Sequence, residues 1–164
     1  MLALAGQQVV ARDLPGIPAL VMNTHITGLA VARSLGRAGI AVLGLDKERG
    51  GLGQHTRHLA GLGLVPGPEV DDGAALAEHL LQLGPSFAER PVLFATNDDW
   101  VLALARHREA LEPHYRYPFA AYDVVQRALS KTGLYRACEA SGIAVPRTWY
   151  FGNPAEIGSQ VPYP

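Results

Sequence analysis

Ala19-Leu20-Val21-Met22-Asn23-Thr24-His25 opens the stretch that decides the fold, and Ala41-Val42-Leu43-Gly44-Leu45-Asp46 closes it. Each apolar run is short and continuous, as a strand buried on both faces requires. Between them Val31, Leu35 and Ala38 recur at i, i+4 and i+7, Arg33 and Arg37 fall on the far side, and Gly39 stands where a helix end takes glycine. Strand, helix and strand make one βαβ unit of about thirty residues. Leu14 to Ala32 carries no Lys, Arg, Asp or Glu, yet Pro15, Gly16, Pro18, Asn23, Thr24 and His25 interrupt it. It therefore reads as strand, turn and helix, not as a membrane span.

The alternation continues outward. Lys47 to His58, with Gly50-Gly51-Leu52-Gly53, reads as a flexible loop, and Leu62 to Val65 as a third short strand. Asp72 to Leu83 has a helical stripe of Leu76, Leu80 and Leu83, and Pro91-Val92-Leu93-Phe94-Ala95 is a further strand. Thr96-Asn97-Asp98-Asp99 caps a helix expected to run to Leu111, because Asn and Asp accept free amide protons and acids suit the positive end of the helix dipole. Phe119-Ala120-Ala121 is expected to add an edge strand. The fold class is α/β: a Rossmann-like three-layer sandwich around a mostly parallel sheet. Ligands of such sheets bind beyond the strand carboxyl ends where the strand order reverses. That rule selects the turn Asn23-Thr24-His25, then Asp46 with the loop after it, then Thr96-Asn97-Asp98-Asp99; the substrate-cleft candidates named from these places are Asn23, Thr24, His25, Asp46, Thr96, Asn97 and Asp98.

Composition removes several classes. Fourteen Lys+Arg against fifteen Asp+Glu leave a net charge of −1, so no general field draws the chain to nucleic acid or an anionic membrane. Cys138 is alone, no signal-peptide pattern precedes Arg12-Asp13, and a reducing, cytoplasmic setting is expected. A dinucleotide fingerprint needs Gly-x-Gly-x-x-Gly in the first turn, which offers only Gly28, although Asp46 stands where a ribose-binding acid would. Lys131-Thr132-Gly133 matches a penicillin-recognising triplet, but no Ser-x-x-Lys supplies its nucleophile. His55 and His58 lack a nearby carboxylate or thiolate, so no metal is assigned. Trp100 and Trp149 read as packing residues.

Three segments carry a resemblance. Leu29-Ala30-Val31-Ala32-Arg33-Ser34-Leu35-Gly36-Arg37-Ala38-Gly39-Ile40-Ala41-Val42, the run from Thr96 to Arg108, and Ser130-Lys131-Thr132-Gly133 with the later Gly142-Ile143-Ala144-Val145-Pro146-Arg147-Thr148 resemble the front of ATP-grasp carboxylate–amine ligases, in the branch of D-aspartate ligase and carbamoyl-phosphate synthase. The resemblance implies a pre-ATP-grasp domain over residues 1–122 and the start of an ATP-grasp domain over 123–164. It implies that Lys131 approaches an ATP phosphate, and that the complete enzyme uses ATP and Mg²⁺ to turn a small-molecule carboxylate into an acyl phosphate that an amine attacks. It also implies that a second nucleotide lysine, the metal ligands and the substrate arginines come after Val161-Pro162-Tyr163-Pro164, so that this stretch alone is inactive and holds no cofactor tightly. Thr148-Trp149-Tyr150-Phe151 is expected to form an exposed strand, offering an edge for a homodimer. The alternative is a stand-alone nucleotide- or small-molecule-binding module without catalysis.

Overall fold

A computed structural model describes residues 2–4, 7–9, 13–116, 118 and 120–153. The chain divides into two compact units, Met1–Val125 and Gln126–Pro164.

The first unit begins with an antiparallel pair, β1 (Leu2–Leu4) and β2 (Gln7–Val9), where the sequence reading assigned no element. Its centre is a four-stranded, wholly parallel sheet of β3 (Ala19–Met22), β4 (Val42–Asp46), β5 (Gly61–Leu64) and β6 (Val92–Ala95), in the order β5-β4-β3-β6. Ala19 pairs with Val42 on one side and Val92 on the other, and Leu43 pairs with Gly61. The order places β3 centrally, and all four of its residues are buried.

Strand alternation explains why these runs are continuously apolar. Leu20, Met22, Leu43, Leu45 and Leu93 pack on one face with Leu76, Leu80, Trp100, Leu104, Leu111 and Tyr115, while Val21 and Val42 pack on the other with Ala32, Leu59, Val31, Leu35 and Phe94. Both faces are covered, so neither sublattice of the strand can be polar. The first face is closed by α2 (Ala74–Leu83), α3 (Asp98–Arg106) and α4 (Arg108–Leu111), the second by α1 (Ile26–Arg37). Tyr115 anchors the first layer: its hydroxyl donates to Leu80 O at 2.7 Å, and burial pushes the phenol's pKa above its ordinary value.

Several expectations are corrected. Ala38 is exposed as the C-cap of α1, and Gly28 and Ala32 are the residues that α1 buries. The helix expected from Asp72 starts at Ala74, after a 3₁₀ turn over Val70–Gly73 in which Asp71 and Asp72 take positive φ. The helix expected through Leu111 breaks at His107 into α3 and α4. The Gly-rich loop contains a 3₁₀ turn, Leu52–His55. Ala120 and Ala121 form no strand and Phe119 lies outside the described residues; the sheet edge is extended instead by a single bridge of Arg116 to Val92.

The second unit holds the last half of α5 (Tyr122–Leu129) and all of α6 (Lys131–Ala140). Ser130 caps α6 by accepting from Gly133 N at 3.2 Å. The segment 143–151 is irregular, so Thr148-Trp149-Tyr150-Phe151 is not a strand: its backbone has no ladder partner among the described residues. Val161–Pro164 lie outside the described residues. No described helix is long and apolar enough to cross a membrane.

Candidate functional site

The strand order reverses beside β3. The chain runs β3, β4, β5 in one direction and then places β6 on the opposite side of β3, so the crevice opens beyond Met22 and Ala95. A cleft of about 130 Å³ lies there, lined by Asn23, His25, Asp46, Lys47, Glu48, Gly51, Gln54, Pro68, Glu69, Asn97, Asp99 and Trp100. Ligand pockets ordinarily span roughly 300–1,000 Å³. This cleft is therefore smaller than an ordinary ligand pocket and too small to enclose a nucleotide.

The turn after β3 has an unusual backbone. Asn23 adopts φ 63°, a left-handed conformation that Asn tolerates better than most residues. Its amide donates to Leu45 O at 2.8 Å, and Thr96 Oγ1 stands 2.6 Å from Asn23 O and 2.9 Å from Met22 O. Thr96 thus ties the ends of β3 and β6 together. Gly28 fits against the same carbonyl, where a Cβ would approach Asn23 O to 2.2 Å. The first-turn glycine serves close packing of helix on turn. His25 is exposed at the N-cap of α1 and makes no side-chain capping bond.

Thr24 and Asp46 are a pair. Thr24 is 0% exposed and Asp46 7%. The Thr24 amide donates to Asp46 Oδ1 at 2.8 Å, its hydroxyl donates to Oδ2, and Gln54 Nε2 donates to Oδ2 at 2.8 Å. The acid that stands where a ribose-binding carboxylate would is engaged by its own chain. Asn97 caps α3, its side chain accepting from Trp100 N at 3.3 Å, and Asp98 opens that helix outside the cleft lining.

Of the seven cleft candidates, Asn23, His25, Asp46 and Asn97 line the cleft, whereas Thr24, Thr96 and Asp98 do not. Asp99, selected with the turn after β6, also lines the cleft, as do Lys47 and Gln54 from the selected loop after Asp46, neither of them singled out in the sequence; Glu69 was not selected at all. Lys47 Nζ meets Glu69 Oε1 at 2.8 Å on the rim. Their hydrogen bond raises the pKa of the lysine and lowers that of the glutamate. No local signal marks Glu69, which reaches the cleft from the loop between β5 and the 3₁₀ turn at Val70–Gly73.

In the second unit Lys131 is exposed at the first position of α6, at the mouth of a concavity of about 530 Å³. Thr132, Tyr135, Arg136, Trp149, Tyr150 and Phe151 contribute to its walls. Arg136 stacks over the Tyr150 ring at 4.9 Å. The Tyr150 hydroxyl is buried without a hydrogen-bond partner among the described residues, and burial raises its pKa. Trp149, read as a packing residue, is 38% exposed and lines this hollow. A cation at a helix start beside aromatic faces suits an anion carrying a flat ring. Among the described residues no group of three or more His, Cys, Asp or Glu is placed to hold a metal ion, so these residues offer a divalent cation no ligand set.

Fold and cleft define an α/β protein with a parallel sheet and a small polar crevice at its carboxyl edge. Among solved structures the chain is similar to an L-amino acid ligase from Bacillus licheniformis, with a TM-score of 0.64 and 16% identity, over 91% of this chain and 36% of that one. The chain thus spans about a third of that protein's length. No protein-family model and no curated protein matches the sequence.

Proposed function

We propose that this chain is the front portion of an ATP-dependent carboxylate–amine ligase of the ATP-grasp kind, in the branch of D-aspartate ligase and carbamoyl-phosphate synthase. The observation that carries the reading is the fold likeness to an amino acid ligase along 91% of the chain. In this reading the first unit contributes a wall to the acceptor substrate's site and holds no nucleotide, as the small volume of its cleft suggests. Lys131 meets an ATP phosphate, aided by the free amides and positive dipole of the α6 N-terminus. Tyr135, Trp149 and Tyr150 offer apolar surface beside it. ATP supplies the phosphoryl group of an acyl phosphate; the residues described here bind and orient, and Mg²⁺ ligands come from elsewhere.

The chain by itself is expected to be inactive. One exposed charge contact is worth on the order of 1 kcal/mol, whereas even millimolar affinity needs about 4. Calorimetry on residues 1–164 should therefore detect no micromolar MgATP binding, and a micromolar dissociation constant would overturn this division of labour. A second reading, a stand-alone small-molecule module, is favoured by the preformed polar cleft at the sheet edge. It predicts saturable binding of a small polar ligand to the chain alone, without ATP.

A further inference from the structure

The loop after β4 is closed on itself and on the sheet. Gln54 Nε2 donates to Asp46 Oδ2 and to Glu48 O, both at 2.8 Å, while its Oε1 accepts from Gly50 N at 3.0 Å. Both amide hydrogens and the carbonyl are in use. The reverse amide orientation would set an oxygen against a carboxylate and a carbonyl, so the chemistry fixes which way Gln54 points. Beside it Gly53 is buried on the turn after β3, where a Cβ would approach Thr24 O to 1.9 Å. Only a glycine lets the loop descend this far. Gln54 N to Gly51 O, 3.1 Å, and Thr56 N to Gly53 O, 3.3 Å, complete the 3₁₀ turn.

In a sheet of this order, the acid ending the strand next to the first one is where a ligand's hydroxyl pair is read. We propose that Gly50–Gln54 is a strap that fills this position with the chain's own groups, a carboxamide standing where hydroxyls would, and that Gln54 is the positioning residue that keeps it shut. The strap closes the sheet's ribose-reading position and leaves the small cleft beside it. The proposal is independent of the ligase reading and can fail without it.

Hydrogen exchange on the whole chain tests it. Gln54→Ala, and Gln54→Glu, which keeps the side chain's size but removes both donors, should each speed exchange of the amides at positions 50–56 by about tenfold, with β3 and β4 as protected as in wild type. Wild type should show no saturable NADH fluorescence change up to millimolar cofactor. Exchange in Gln54→Glu equal to wild type would mean that packing alone holds the loop and would overturn the proposal. So would loss of protection spread evenly through β3 and β4, or saturable NADH binding by wild type that Asp46→Asn abolishes.

Discussion

Both oxygens of Asp46 are occupied by Thr24 and Gln54, so its contribution is to stability as well as to the shape of the cleft. Hydrogen bonds to a charged group are worth about 1.5–3 kcal/mol, and Asp46→Ala also leaves the buried Thr24 donors unpaired. Urea denaturation of Asp46→Ala should show a loss of about 3 kcal/mol. Lys131 is the opposite case, an exposed side chain whose removal should leave the melting temperature almost unmoved. In the protein that carries this chain, Lys131→Ala should raise the KM for ATP about tenfold, the cost of one charge-assisted hydrogen bond. Unchanged kinetics with ATP limiting would leave Lys131 as surface. Lys47 and Glu69 make a third, pH-dependent case. The bridge lowers the Glu69 pKa, so its stabilisation is present above the ordinary carboxylate range and fades as pH falls through the lowered value. Both side chains are exposed, and the effect is correspondingly small. The melting-temperature gap between wild type and Glu69→Gln should narrow between neutral pH and about pH 3, and narrow again with added salt.

At the scale of elements, one tetrapeptide shows what sequence decides and what it leaves open. Gly-Ile-Ala-Val occurs at 39–42 and again at 142–145. Both glycines take positive φ, 80° and 70°, and both isoleucine amides reach back five residues, Ile40 N to Leu35 O at 3.1 Å and Ile143 N to Cys138 O at 2.9 Å. The helix ends are local and were legible. The fate of the chain beyond them is not local: Val42 enters β4 between two partner strands, while Val145 enters an irregular segment with no such ladder. The same reasoning explains the other misreadings. The break at His107 and the 3₁₀ turn at Leu52–His55 depend on tertiary bonds, His107 to Asp72 O and Gln54 to Asp46, that no periodicity encodes. Gly39 has open space around it, so Gly39→Ala tests backbone conformation alone and should cost about 1 kcal/mol. Gly28→Ala collides with Asn23 O and should cost more; equal losses in thermal melts would refute the close approach.

At the scale of the whole molecule, the parallel strands were legible because strands buried on both faces are uniformly apolar, and the turns at their carboxyl ends pointed toward the crevice; the order β5-β4-β3-β6, which sets the reversal beside β3, is a property of tertiary pairing that no single strand encodes. Which candidates face the crevice was not legible. Thr24 and Asp98 differ from Asn23 and Asn97 by the direction of one side chain, set by the left-handed turn at Asn23 and the cap on Trp100. The second unit exposes Leu134, Ile143 and Trp149, Ile143 at 59%. Such surface favours burial against another polypeptide. Sedimentation of the chain should show self-association that rises with concentration and is reduced by Leu134→Gln with Ile143→Ser; a monomer at all concentrations would contradict the expectation of a homodimer. The most direct test of the central claim is ADP formation by the protein that carries this chain, supplied with MgATP and mixtures of amino acids. ADP should accumulate only when a carboxylate and an amine acceptor are both present, in step with amide product, and fall when Lys131 is replaced by alanine. ATP left unconsumed under every such mixture, or consumed equally without any acceptor, would contradict the ligase account.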